Sequence, residues 1–276
     1  MNQPDEPQLL AEEDGPVLIV TINRPDKLNA LSGVVMRGIE AAVHRLRDED
    51  RFKVMLIRSR GRYFSAGADL RDNSDGSGAA RTARGIRENH RLRLHGMHRI
   101  YDEMEHVEKP IVAAVHAPCV GGGLELILSC DFRLAGGSAT FAFPEGKFGT
   151  LPASNGVSRL TRLCGPHWAR YLIMANKPAD AQRALIMGLV HEVYPDERLD
   201  EEALAFCKHL AGQNGEQMGA AKIAIELASE LGRDSGRHVE RLANSALMLN
   251  PDYLETLERY LKGLGGKKET GTRDDR

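Results

Sequence analysis

Three short apolar, β-branched runs punctuate this chain, Val17 to Ile22, Val54 to Ile57 and Ile111 to Val115, and each leads through a turn into apolar positions at helical spacing. The runs predict buried strands, and the whole pattern predicts a repeating strand-to-helix core. After the first run, Asn23-Arg24-Pro25-Asp26 marks a turn, Ser32 stands as a helix N-cap, and Val35, Met36, Ile39, Val43 and Leu46 share one face. The second run enters a glycine-containing turn, GRYFSAGADL. Residues 71–85, RDNSDGSGAARTARG, then have the small, polar composition of a mobile loop that orders on a ligand. From about Pro195 the strand pattern stops. Helical periodicity takes over across Leu199 to Leu210, Gln217 to Leu231, His238 to Leu249 and Tyr253 to Leu261, and the tail from Gly265 is expected to fray. The expected organisation is an α/β core over residues 1–195 and a helical region over 196–276.

The stretch from Pro110 to Cys130 is about as long as a membrane span, but it holds His116, Pro118, three consecutive glycines and Glu125. Buried strand, turn and buried helix account for it without lipid. With 276 residues and 42% hydrophobic content, the chain has enough material for one large domain or a domain with an appendage. Its 37 basic and 39 acidic residues nearly cancel, so no sustained positive field holds a nucleic acid or an anionic membrane, and the expected partner is a small molecule. Cys119, Cys130, Cys164 and Cys207 form no Cys-x-x-Cys pair, and no basic-plus-apolar leader opens the sequence. Free thiols in a reducing cytoplasm are the expectation.

The candidate chemistry lies in two glycine turns, SAGAD at Ser65 to Asp69 and GGGLE at Gly121 to Glu125. A strand that runs through glycines into a helix leaves backbone N–H groups without partners at the helix start, where the dipole also favours negative charge. Side chains at Gly121 to Gly123 would keep a ligand off that backbone. Two amides from different turns can therefore meet on one oxyanion. Glu125 sits on the first turn of the second helix, and Glu145 follows TFAFP, a strand-like segment closed by Pro144. Both carboxylates lie in apolar contexts, the setting in which a carboxyl pKa rises toward neutrality for acid and base work. A glycine run with a nearby glutamate more often marks an ordinary turn and helix start than a functional site, so these residues alone do not establish the chemistry.

Other features have plainer explanations. His90, His95 and His98 cluster on a predicted helix in a basic, polar stretch without acidic ligands, which reads as a solvated face rather than a zinc site, and no metal is expected. Cys119 and Cys130 read as small core residues. No G-x-G-x-x-G opens a helix, and neither G-x-S-x-G nor G-x-x-x-x-G-K-[ST] occurs, so dinucleotide, hydrolase and phosphate-transfer chemistry lack their motifs.

Four segments, INRPDKLNALS (Ile22 to Ser32), FSAGADL (Phe64 to Leu70), GGGLELILSCD (Gly121 to Asp131) and FPEGKFGTLP (Phe143 to Pro152), closely resemble in order and separation the enoyl-CoA hydratase family, the crotonases. ALIMGLVHEVYP, Ala184 to Pro195, resembles the family's passage from core to helical end, so the resemblance spans nearly the whole chain. It implies a crotonase-type ββα spiral core of the α/β class, with the C-terminal helical region serving oligomerisation as a homotrimer or a dimer of trimers. The family's oxyanion hole matches the backbone N–H groups of Ala68 and Gly122, and its catalytic glutamates match Glu125 and Glu145. Coenzyme A and substrate contacts are implied at Leu28, Ala66, Asp69, Leu70, Arg71 and Gly121. The implied partner is an acyl-CoA thioester, with coenzyme A part of the substrate and no resident cofactor. The implied reaction is addition of water to a 2-enoyl-CoA.

Two departures from the family pattern stand out. ASNGVSRL, Ala153 to Leu160, replaces a glycine-rich stretch and sets Ser154 and Asn155 where an acyl chain or the attacking water lies. KGLGGKKE, Lys262 to Glu269, lacks the aromatic residue the family often has near its basic end. The presence of both glutamates favours hydration over a crotonase-type isomerase, in which one of these positions is often not glutamate. Decarboxylation or C–C cleavage on the same oxyanion hole, and a non-catalytic acyl-CoA- or RNA-binding member, are the remaining alternatives.

Overall fold

A computed structural model of the protein describes residues 6–70, 82–251 and 253–265. In chain order the elements are β1 (Leu9–Asp14), β2 (Val17–Ile22), α1 (Gly33–Asp48), β3 (Val54–Ser59), α2 (Ala83–His106), β4 (Ile111–Val115), β5 (Cys119–Val120), α3 (Gly122–Leu128), β6 (Phe132–Gly136) and β7 (Thr140–Ala142). They are followed by α4 (Gly156–Ala169), β8 (Ala179–Asp180), α5 (Ala181–Ile186), β9 (Glu192–Tyr194), α6 (Leu199–Ala211), α7 (Gly215–Glu230), α8 (Arg233–Leu247) and α9 (Tyr253–Gly265). Packing divides the chain into two compact units, residues 1–219 and 220–276.

In the first unit six strands form one sheet in the order β1-β2-β3-β4-β6-β9, antiparallel between β1 and β2 and parallel elsewhere. A smaller sheet has the order β5-β7-β8. Successive side chains of a strand point to opposite faces. Leu18, Val20 and Ile22 of β2 accordingly join a core with Val35, Ile39 and Leu46 of α1, whereas Val17 and Ile19 join a second core with Leu199, Ala203 and Cys207 of α6. A parallel strand covered by helices on both sides has to be apolar throughout, which explains the unbroken runs at β2, β3 and β4. Ser32 caps α1 by accepting from the Val35 N–H at 3.2 Å. The Pro110 to Cys130 stretch becomes β4, β5 and α3, and no helix among the described residues is long and apolar enough to cross a membrane.

The strands without an unbroken apolar run have physical reasons for it. β1 is an edge strand, which leaves both Glu12 and Glu13 exposed. β6 carries the buried Arg133, whose guanidinium donates to the carbonyls of Leu189 at 2.7 Å and Ile127 at 3.3 Å and to that of Cys130. Three backbone acceptors replace the water that this cation loses on burial. The last strand ends at Tyr194, and α6 belongs to the unit whose sheet it covers.

The second unit is helical where described: the later turns of α7, then α8 and α9. Leu242 and Leu249 in and just after α8, and Leu254, Tyr260 and Leu261 on α9, are exposed in the single chain.

For function the decisive topological fact is that β3 and β4 are adjacent and parallel. The chain leaves both strands at the same end of the sheet, so the two glycine turns that follow them emerge side by side. Backbone hydrogen bonds join them: the Phe64 and Ser65 amides donate to the Pro118 carbonyl at 3.0 and 3.3 Å, and the Val120 amide donates to the Ser65 carbonyl at 2.9 Å.

Candidate active site

The first turn is braced from behind by the segment after β2. Leu28 and Asn29 both adopt left-handed backbone, at φ 53° each. The Asn29 side chain is fully buried; its Nδ2 donates to the carbonyls of Arg60 at 2.6 Å and Tyr63 at 2.7 Å, while its Oδ1 accepts from the Arg24 N–H at 2.8 Å. Short polar side chains that bond locally tolerate this conformation best. Residues 65–69 then run beside 28–31. Ala66 N–H donates to Leu28 at 2.9 Å, Leu31 N–H to Gly67 at 2.8 Å, and Asp69 N–H to Leu31 at 3.1 Å. The Gly67 N–H donates to Ser65 Oγ at 3.2 Å. The Ala68 N–H remains, and it donates to no protein group among the described residues.

The second turn leaves an equivalent group free. Gly121 has φ 54° and ψ −124°, backbone that residues with a Cβ avoid, and it starts α3 with no side-chain cap. Its own N–H donates to the Ala142 carbonyl at 2.9 Å, but Gly122, the first helical residue, donates to no protein group among the described residues. The two free amides are neighbours. A Cβ placed on Gly122 would lie 3.1 Å from the Ala68 nitrogen, and one on Gly67 would lie 3.1 Å from the Gly122 nitrogen. Only glycine lets the two backbones approach this closely.

Both glutamates adjoin the second turn at Gly121, Glu125 through its N–H to the Gly121 carbonyl at 3.0 Å and Glu145 through its carboxyl. Glu125, one turn into α3, is 4% exposed. Its Oε1 accepts from the Ser154 N–H at 2.7 Å, and the Gly156 amide and Ser154 hydroxyl also bond the carboxylate. Burial pushes its pKa up, and these hydrogen bonds and the nearby His98 only partly pull it back. Glu145 opens the helical turn Glu145–Phe148 after β7. Its Oε1 abuts Gly121, where an added Cβ would lie 2.8 Å away, and its Oε2 is buried with no hydrogen-bond partner among the described residues. Burial, helped by the charge of Glu125, pushes the Glu145 carboxyl up to about 7. The second carboxylate thus feels the first.

The remaining sequence candidates divide. Leu28 braces the first turn through its carbonyl, Ala66 lies within that turn, and Gly121 sits against Glu145. Asp69 accepts from Arg24 Nη1 at 2.9 Å, and the same Nη1 donates to the Ala30 carbonyl at 2.6 Å, a bond set that ties the turn to the segment behind it. Leu70 is 89% exposed. Arg71 and most of the expected loop, residues 71–81, lie outside the described residues. Ser154 does face the site, through Glu125. Asn155 does not: it takes a left-handed φ of 66°, a conformation glycine also accepts, and its Nδ2 donates to Asp102 of α2 at 3.2 Å. Its polar atoms therefore serve the scaffold rather than the substrate path.

Two groups behind Glu125 were hidden in the sequence. Arg159 of α4, 5% exposed, pairs with Asp102 and Glu105 of α2 and lies over the Tyr101 ring, 5.9 Å from its centroid. His98 of α2 points inward, with Nε2 2.8 Å from the Ala153 carbonyl oxygen, instead of standing on a solvated face. Neither contact has a local sequence signal, since each joins residues more than fifty positions apart.

Comparison with known proteins bears on the family and the fold. The family model described as enoyl-CoA hydratase/isomerase matches residues 12–264. A probable enoyl-CoA hydratase of Mycobacterium tuberculosis is 32% identical over 255 residues, covering 92% of this chain and 95% of its own. The 2,3-dehydroadipyl-CoA hydratase of Escherichia coli is 29% identical over 255 residues, covering 92% of this chain and 96% of its own. Among solved structures, an enoyl-CoA hydratase subunit I from Geobacillus kaustophilus superposes with a TM-score of 0.83 at 32% identity, covering 93% of this chain and 95% of the other. A strand-paired pair of glycine turns, a fold shared with solved hydratases and a match along almost the entire length lead to one assignment: the chain is a crotonase-fold member of the enoyl-CoA hydratase/isomerase family.

Proposed function

We propose that the protein is a hydro-lyase that adds water reversibly across the double bond of a 2-enoyl-CoA thioester to give a 3-hydroxyacyl-CoA. What supports this reading most is the adjacency of the Ala68 and Gly122 amides, neither of which donates to a protein group among the described residues, at a turn bordered by two carboxyls whose affinity for protons is raised. Attack at the β-carbon drives negative charge onto the thioester oxygen. Backbone donors already aimed at that oxygen stabilise the charge without having to reorganise. Glu125 orients the water and takes its proton as the oxygen bonds to the β-carbon. Glu145 delivers a proton to the α-carbon, and transfer of the proton from Glu125 to Glu145 restores the starting state. The net change is H and OH added across one C=C bond. Coenzyme A enters as part of the substrate, and the chemistry draws on no resident cofactor.

The test is to mix the purified protein with crotonyl-CoA and longer 2-enoyl-CoA esters and follow the conjugated-enone absorbance. Loss of absorbance with 3-hydroxyacyl-CoA as product supports the reading. Binding of the esters without loss at any chain length overturns it in favour of a non-catalytic acyl-CoA binder, and conversion of a 3-enoyl-CoA without hydration overturns it in favour of an isomerase.

The roles assign a pH dependence. An acid is competent while it holds its proton, so the hydration rate falls as pH rises through the Glu145 value of about 7. A base must be ionised, so the rate also falls toward acid as Glu125 takes up a proton. The expected kcat/KM profile for hydration is a bell whose alkaline limb lies near 7 and disappears from the residual activity of Glu145→Gln. An alkaline limb unchanged in that variant assigns the titration to another group.

Assembly as a homotrimer or a dimer of trimers belongs to the same proposal. It is supported by the exposed apolar side chains of α8 and α9, including Leu254 at 67% and Tyr260 at 64% exposure. Light scattering is expected to return three or six times the chain mass, and a monomer at micromolar concentration excludes it. The four free cysteines fit a cytoplasmic location.

A further inference from the structure

The sequence singles out three histidines near the middle of α2, and the proposed reaction uses none of them. His98 nevertheless faces the site. Its Nε2 lies 2.8 Å from the Ala153 carbonyl oxygen, and because a carbonyl can only accept, Nε2 must carry a proton. That carbonyl and the Ser154 N–H are the two ends of a single peptide group. The Ser154 end donates to Glu125 Oε1 at 2.7 Å. A peptide is planar, with C=O and N–H pointing in opposite directions when trans. A donor gripping the oxygen therefore aims the N–H. Hydrogen bonds in such a chain also polarise one another, so the bond at the oxygen strengthens the one at the nitrogen.

We propose that His98 is a positioning residue for Glu125, holding the Ala153–Ser154 peptide in the one orientation that presents its N–H to the carboxylate. The inference rests on the reading of Glu125 as the group that handles the attacking water. The residues on either side explain why this peptide needs a holder of its own. The next carbonyl, of Ser154, is held at 3.4 Å by Arg159, and Asn155 is tied to Asp102, but neither bond fixes the plane of the preceding peptide. If that peptide turns, Glu125 stays buried and loses its shortest donor. The carboxylate is then harder to ionise, and the water it orients is misplaced.

A second effect acts in the same direction. A positive charge on the imidazole favours the ionised form of Glu125 through space. The other titratable and charged groups around that carboxylate are Tyr101 of α2, buried beside it, Glu145 from the turn after β7, and Arg159 of α4, whose charge is offset by Asp102 and Glu105. His98 is the member of this set with a direct hold on the Ala153–Ser154 peptide.

The test compares His98→Leu, which fills the space without a donor, with His98→Gln, whose amide can reach the same carbonyl. In the hydration assay His98→Leu is expected to lose about tenfold in kcat, the scale of one hydrogen bond, with KM for the enoyl-CoA within about twofold. His98→Gln is expected to recover most of the loss. The Glu125 carboxyl 13C resonance, identified by its disappearance in Glu125→Gln, is expected to titrate at higher pH in His98→Leu than in the wild type. His98→Asn keeps an amide without the reach and supplies the donor-free comparison should the leucine variant fail to fold. Wild-type kcat and an unmoved Glu125 titration in His98→Leu overturn the proposal, as does an equal loss in the leucine and glutamine variants. Absence of hydration by the wild type is a different outcome: it overturns the hydratase reading, while the carboxyl titration still reports whether His98 holds Glu125.

Discussion

Glu125→Gln is expected to lower turnover of a 2-enoyl-CoA by roughly 10²- to 10⁴-fold, the range that general acid–base groups contribute. Glutamine keeps the shape of the side chain and an oxygen to accept from Ser154, which sits 2.7 Å from Oε1, so the turn and α3 have no reason to move. It cannot take a proton from water. Because the native side chain is buried and its charge opposed by desolvation, replacing it with a neutral isostere is expected to leave the melting temperature and CoA-ester affinity close to wild type. Glu145→Gln is expected to fall in the same range for the complementary reason, loss of the proton held near neutrality. The two carboxyls serve one turnover, so the double variant is expected to be little worse than the weaker single variant. Steady-state kinetics with a calorimetric titration of a saturated acyl-CoA separates the effects. Full activity in either glutamine variant removes that residue from its role.

Gly122→Ala is the second large effect, with an expected loss of about 10²- to 10³-fold in kcat. That corresponds to about 2.7 to 4 kcal/mol of barrier for one oxyanion donor. The added methyl would lie 3.1 Å from the Ala68 nitrogen, between the two amides, and 3.6 Å from the Gly67 carbonyl carbon. It occupies the place assigned to the oxygen or forces the turns apart. The ground-state thioester oxygen is a weaker acceptor than the enolate-like oxygen, so KM is expected to change much less than kcat. Gly96→Ala on α2, where the methyl meets nothing within 4 Å, is the control and is expected to be silent. An active Gly122→Ala, with kcat within a few-fold of wild type, moves the oxyanion elsewhere.

His98 and Asn155 show where local pattern stops being informative. On a helix rich in basic residues a histidine reads as solvated, and the family resemblance sets the polar Ser154-Asn155 pair along the substrate path. The structure turns the histidine inward because the turn before α4 lies against α2 and presents the Ala153 carbonyl to it. It turns Asn155 away because α2 also presents Asp102. Both outcomes depend on how α2 docks, and no residue near either position in the chain encodes that docking.

The buried strands, the cap at Ser32, the helical character beyond Pro195, the glycine turns and the apolar settings of Glu125 and Glu145 were all determined by the sequence itself. Each depends on side-chain periodicity or backbone freedom within a few residues, and such short-range preferences act whatever the rest of the chain does. Tertiary structure alone decided that the Ala68 and Gly122 amides stand together, that the Ser154 peptide anchors Glu125, and that burial pushes the Glu145 carboxyl up to about 7. The physical reason is that these properties arise from strand order and burial: adjacent parallel strands set the turns side by side, and the packed chain excludes the water that would otherwise solvate the carboxylates.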